Sequence, residues 1–185
     1  MNDLLRMVGN FAATVLRPAK PALVLPVLFQ GRFGLEHWSA RGTLLGSYRF
    51  NNGITDVGVA HAFDAVFHAG SQITAWFIGL VDNSGYTALA GADTMASHAG
   101  WNEFTTYTEA DRVAWDEGAT AARSITNVTA ASFAISGSGT VKGAFLVSNS
   151  TKSGTTGTLW STGVFSNPPT VANGETLKVT YTLTG

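Results

Sequence analysis

The last third of the chain most restricts what it can fold into. "ETLKVTYTLTG" (175–185) alternates Leu177, Val179, Tyr181 and Leu183 with polar residues, the period of a strand with one buried face. The same grammar runs back to residue 123. "RSITNVTAASFAISGSGTVKGAFLVSNS" predicts strands near 124–127, 130–136 and 140–148, with "SGSG" as a tight turn between the last two, and "GTLWSTGVF" (157–165) adds another before "NPP" breaks the chain. Strands this short and frequent imply an antiparallel β-sandwich, jelly-roll or Ig-like.

Upstream the pattern is mixed. "FGLEHWSARGTLLGSYRF" (33–50) predicts a hairpin with Phe33, Leu35 and His37 on one face, a turn at "ARG", and an end at "NNG" (51–53). "TDVGVAHAFDAVFHAG" (55–70) predicts one internal helix, capped by Thr55 or Asp56 and closed by Gly70, with Val59, Phe63, Val66 and Phe67 on one face. "ITAWFIGLVD" (73–82) reads as a buried central strand anchored by Trp76, followed by a long connection. No internal repeat is visible, and "NSTKSGTTGT" (149–158) reads as a flexible or exposed hairpin loop.

The first 31 residues form a separate unit, an N-terminal helix and extended arm, ahead of a β-sandwich domain at 32–185. Leu4, Leu5, Val8, Phe11, Ala12 and Val15 recur at helical spacing over 2–16, and Pro18 ends the helix. Pro18, Pro21 and Pro26 then make "RPAKPALVLPVLFQG" (17–31) an extended apolar arm. Such an arm must be buried, either across the protein's own core or on a partner subunit. The N-terminal stretch lacks the basic start and clean apolar run of a secretory signal, and no stretch approaches a membrane span.

Composition narrows the function. With no Cys, thiolate nucleophiles, disulfides and Cys-based zinc sites are excluded. A net charge of −1 gives no basic face for nucleic acid. Only 12% of residues are charged, which fits a β-rich protein partly covered by neighbours. "GSGTVKG" (137–143) misses the dinucleotide fingerprint and precedes a strand rather than a helix. His61, Asp64 and His68 share a helix face, but two turns separate the histidines by roughly 10 Å, too far for one ion, so they read as the polar side of the helix. No cofactor is expected.

The densest chemistry lies in "ADTMASHAGWNEFTTYTEADRVAW" (92–115). Ser97 and His98 adjoin, with Asp93, Glu103, Glu109 and Asp111 nearby, but no GxSxG elbow occurs. Carboxylate pairs for glycoside cleavage could come from Glu103, Glu109, Asp111 or Asp116. The favoured reading is a loop pinned by Trp101, Phe104, Tyr107 and Trp115, with no catalytic residues. "NVT" (127–129) and "NST" (149–151) match the glycosylation sequon, which matters only in a secreted eukaryotic protein.

One resemblance gives this stretch a context. "NGITDVG" (52–58), "WFIGLVD" (76–82), "ADTMASHAGW" (92–101), "GTLWST" (157–162) and "GETLKVTYTLT" (174–184) together resemble small proteins encoded among the virion structural genes of tailed bacteriophages. The likeness covers about residues 50–185 and is weaker before that. It implies a virion structural protein, made in the bacterial host cytoplasm, that is not an enzyme. The expected partners are the major capsid protein or another virion protein, with homo-oligomerisation, and no nucleic acid or membrane. A capsid decoration or cement protein is the favoured role, and a neck, tail or fibre component the alternative. The expected assembly residues are Leu4, Leu5, Val8, Phe11, Leu23, Val24, Leu25, Val27, Leu28 and Phe29, while Trp76, Trp101 and Trp115 are expected to serve the fold. Host-surface adhesion in the alternative role would need Tyr86, Tyr107 and Trp101 to face solvent.

Overall fold

A computed structural model describes residues 29–185. The helix expected over 2–16, most of the arm, and the assembly residues Leu4 to Leu28 lie outside the described residues.

The described chain is mainly β, built on antiparallel pairing. Strand β1 (Gln30–Trp38) and β2 (Leu44–Ile54) form the expected hairpin, closed by a turn in which the Ser39 carbonyl accepts from the Gly42 amide. Both strands outrun their sequence-based limits. Gln30 and Gly31, assigned to the arm, pair with Thr184 and Leu183, and "NNG" continues the strand instead of ending it. Next come helix α1 (Asp56–Phe67) and β3 (Phe77–Asp82). Three two-residue strands, β4 (Glu103–Phe104), β5 (Val113–Ala114) and β6 (Asp116–Glu117), punctuate the long connection. The rest are β7 (Ser124–Thr129), β8 (Ala131–Ala134), β9 (Gly139–Val147), β10 (Leu159–Val164), β11 (Thr170–Val171) and β12 (Thr176–Thr184).

Hydrogen bonding follows one path, β4-β3-β9-β10-β2-β1-β12-β7-β6, with β5 on β3, β11 on β9 and β8 on β12. The link between β10 and β2 is two residues long, Ser161 to Ile54 and Thr162 to Gly53. The sheet as a whole is curled into a half-barrel. The "SGSG" segment therefore does not turn a hairpin: β8 pairs with β12, while β9 pairs with β3, β10 and β11.

The concave side holds the main core, including Phe33 and Leu35 from β1, Ile78 and Leu80 from β3, Ala144 and Leu146 from β9, and Leu177, Val179 and Tyr181 from β12. The alternation expected of the last strand holds, since its odd-numbered residues 177–181 are fully buried. On β9 the neighbours Phe145 and Val147 point the other way and are buried too. A second cluster covers them: Met95 and Trp101, with Tyr86 and Leu89, from the connection after β3. The middle of the sheet is thus buried on both faces, and its outer cover is a loop.

Helix α1 is fixed at its N-terminal end. Thr55 caps it, accepting from the Gly58 amide at 3.1 Å, while its hydroxyl donates to the Leu159 carbonyl and its amide to the Trp160 carbonyl. Gly58 lies directly on β10, where an added Cβ would sit 2.6 Å from the Trp160 carbonyl oxygen. At the other end the Gly70 amide bonds the Asp64 carbonyl, and Ala69 takes the left-handed conformation (φ 56°).

Candidate functional site

The stretch 92–116 folds as a loop in which Asp93, Glu103, Glu109 and His98 have structural partners. Asp93 accepts from the Ala90 amide (2.9 Å) and the Trp101 indole (3.0 Å), and Trp101 packs tilted against Phe145 of β9, ring centres 5.1 Å apart. His98 stacks on the other side of Trp101, ring centres 4.0 Å apart, with Nδ1 3.0 Å from the Trp101 carbonyl. Among the described residues no hydrogen bond joins Ser97 to His98; the Ser97 amide instead bonds the Thr94 hydroxyl (3.0 Å). Glu109 receives the Ala134 amide on both carboxylate oxygens, at 3.1 and 3.2 Å, tying the connection to β8. Asp111 and Asp116 are exposed.

Glu103 has the partner that sequence reasoning missed. Arg112 grips it through two parallel bonds, Nε to Oε1 at 2.9 Å and Nη2 to Oε2 at 2.8 Å. Their side chains are 0% and 6% exposed. The other guanidinium hydrogens reach the Asn149 carbonyl (2.9 Å) and the Gly154 carbonyl (3.0 Å), and Glu103 also accepts from the Ser153 amide (2.8 Å). The loop at 149–158, expected to be merely flexible or exposed, is thereby fastened to the ion pair. A lone Arg between acids in "EADRVAW" was the available signal, but nothing local says that it turns inward.

Two further buried groups complete the picture. Tyr107 lies under Lys152, whose ammonium is 3.9 Å from the ring centre, and its hydroxyl has no partner among the described residues. Burial, reinforced by the Glu103 charge, pushes its phenol far above the ordinary range. The second is a pair in which His37 meets Glu175 at 2.7 Å. Burial tends to raise the Glu175 carboxyl, but the bonds from His37 and the Ala172 amide outweigh it and hold the group below its usual value.

The three tryptophans serve the fold as expected: Trp101 and Trp115 are buried, and Trp76 packs against the core. The aromatics proposed for adhesion do not meet their condition. Trp101 and Tyr107 are buried, and Tyr86 is half-buried beneath Lys142. Asn127 of the first sequon receives the Trp115 indole (2.8 Å) and donates its amide to the Thr129 carbonyl (3.2 Å). Among the described residues no three His, Asp or Glu side chains converge as a metal ion requires, and no helix is long and apolar enough to cross a membrane.

The feature with unmet physical demand is an apolar groove. Its seven lining residues, among them Phe29, Ile54, Val59 and Ala62, enclose about 560 Å³. The rest of its wall is Phe63, Val66 and Phe67, which are 56%, 70% and 80% exposed. The helical face read from the sequence is real, but it points out of the core. Phe29, the only expected assembly residue among those described, packs edge-on against Trp160 with ring centres 5.9 Å apart. Comparisons with protein-family models, curated proteins and solved structures return no match.

Proposed function

We propose that this chain is a non-enzymatic structural protein of a tailed-phage virion, and that it decorates the capsid and stabilises the head shell. The observation that carries the assembly role is the exposed apolar face of α1, continuous with Phe29. Large exposed apolar residues grouped in this way mark a place where protein meets protein. The sequence before Phe29 carries further apolar residues, Leu4, Leu5, Val8, Phe11, Leu23, Val24, Leu25, Val27 and Leu28, which lie outside the described residues. The structural partners of Asp93, His98, Glu103 and Glu109 support a scaffold role for 92–116. The phage context rests on the sequence likeness over about residues 50–185. In this reading the curled sheet is the sandwich-like outer body, and the α1 end faces the major capsid protein or a neighbouring copy.

Copies per purified virion, counted by quantitative mass spectrometry against the major capsid protein, test the role. A ratio near one, or a simple fraction of it, supports decoration. A few to tens of copies moves the protein to the neck, tail or fibre, and absence from the particle overturns the virion reading altogether.

A further inference from the structure

We infer that β2 is a pairing edge for a second copy of this chain, and that two copies join antiparallel through residues 44–52 about a two-fold axis at Tyr48. The pairing follows from the sheet alone and does not rest on the virion role proposed above.

A β-strand carries hydrogen-bonding groups along both sides, and an unpaired side takes up another strand unless something blunts it. The two ends of the sheet are blunt: β4 and β6, which close the path, are two residues long each. Four strands run nine residues or more. Of these, β1 lies between β2 and β12, β9 has β3 on one side with β10 and β11 on the other, and β12 has β1 on one side with β7 and β8 on the other. Strand β2 is the exception. One side pairs with β1 from Leu44 to Asn52, but on the other only Gly53 and Ile54 meet β10. Among the described residues no strand pairs with 44–52 on that side. Strand β10 diverges there. Phe165, just beyond it, packs on Tyr48 and Phe50 with ring centres 5.5 and 4.2 Å away, so the core stays closed while the β2 backbone remains at an edge.

This edge has few of the features that deter pairing. The run "LLGSYRFNN" holds no proline and no lysine, and its one irregularity is the bulge opposite His37 and Trp38. From Gly46 to Asn52 it keeps a regular register with β1. Leu44 and Leu45, 47% and 52% exposed, lie on it and give pairing apolar area to bury. The occupant follows from length. Only an extended backbone satisfies a strand edge. Among the described residues β2 is the one long strand with a free side, so the edge that matches it is its own counterpart in another molecule, and such an isologous contact closes after two copies. Antiparallel overlap of 44–52 on itself puts Tyr48 opposite Tyr48, and Arg49 opposite Ser47 of the second copy. Arg49 is the only charge in the run, so no like charges meet across the axis.

Sedimentation equilibrium and hydrogen exchange on the full chain test the pairing. The expected result is a monomer–dimer equilibrium, with the amides of 44–52 exchanging about tenfold more slowly in the dimer than in the diluted monomer. Charge at the register then reads the geometry. Ser47→Lys faces Arg49 of the other copy twice, once on each side of the axis, and should weaken the dimer about tenfold. Adding Arg49→Glu turns both repulsions into attractions and should restore it. Both positions are exposed, so the variants keep the fold. A protein that stays monomeric, or amides of 44–52 that are already protected in the monomer, would overturn the inference. So would a Ser47→Lys dimer as tight as the wild type, or a double variant no tighter than Ser47→Lys. A dimer that Phe67→Asp dissolves while Ser47→Lys leaves it intact would move the contact to α1 and overturn it as well.

Discussion

The Glu103–Arg112 pair offers the sharpest check on how the long connection is held. Glu103→Gln keeps the size and most of the hydrogen-bonding shape of the side chain but removes its charge. The Arg112 guanidinium then stays fully buried, facing an amide and two carbonyls instead of a carboxylate. Breaking a buried pair by removing one partner costs about 3–5 kcal/mol, against under about 1 kcal/mol for an exposed pair. For a domain of this size that corresponds to a fall in Tm of roughly 6–20 °C. Arg112→Met should cost at least as much, because the Glu103 charge is stranded and the Asn149 and Gly154 carbonyls lose their donor. The double variant should be less damaging than the sum of the two, since neither charge is left alone, and a coupling of about 2–3 kcal/mol is expected. Urea unfolding followed by tryptophan fluorescence measures all four proteins. Hydrogen exchange at 149–158 should rise in each variant, because the Ser153 amide bonds Glu103 directly. A Glu103→Gln loss below about 1 kcal/mol, or strict additivity in the cycle, would refute the idea that this ion pair fastens the loop.

Three other outcomes follow from single contacts. Gly58→Val should destabilise by more than about 2 kcal/mol in thermal melts, despite the usual helix penalty of glycine, because its side chain would meet the Trp160 backbone and prise α1 off β10. Tyr107→Phe should be neutral or slightly stabilising, since that buried hydroxyl has no partner among the described residues, whereas Tyr181→Phe should cost about 1–2 kcal/mol by orphaning the Trp160 indole, bonded at 2.9 Å. Glu175 has a lowered carboxyl pKa in the fold, so it binds its proton more readily when unfolded; its contribution is complete above the ordinary value of 4.5 and is lost as pH falls through the folded value. Unfolding midpoints measured across that acid range should therefore fall less steeply for Glu175→Gln than for the wild type.

Much of the fold was legible because period and punctuation are local. The alternation in 175–185, the Thr55 cap and the "ARG" turn each need only a few neighbouring residues to specify them, and each is found where the sequence puts it. Partner choice is not local. Nothing near "SGSG" says that β8 joins β12 while β9 crosses to β3, so the tight-turn reading failed on pairing between residues more than 40 apart. The same limit hid Arg112, whose role depends on carbonyls that arrive from 37 and 42 residues away.

Helix α1 shows the division most clearly. The sequence by itself determined that a helix forms there and that Val59, Phe63, Val66 and Phe67 share a face, because a 3.6-residue period is a property of the chain alone. Which way that face points was decided only by tertiary structure. Gly58, on the other side of the helix, has no side chain and lets the backbone of α1 rest against Trp160. The closest approach is therefore made by the glycine, and the apolar face is left turned outward. Likewise, the residue types in 92–116 permitted an active site or a folded-over loop. Only the assembled sheet, with Phe145 and Val147 needing cover on its outer side, gave Trp101, Met95 and the acids around them their places.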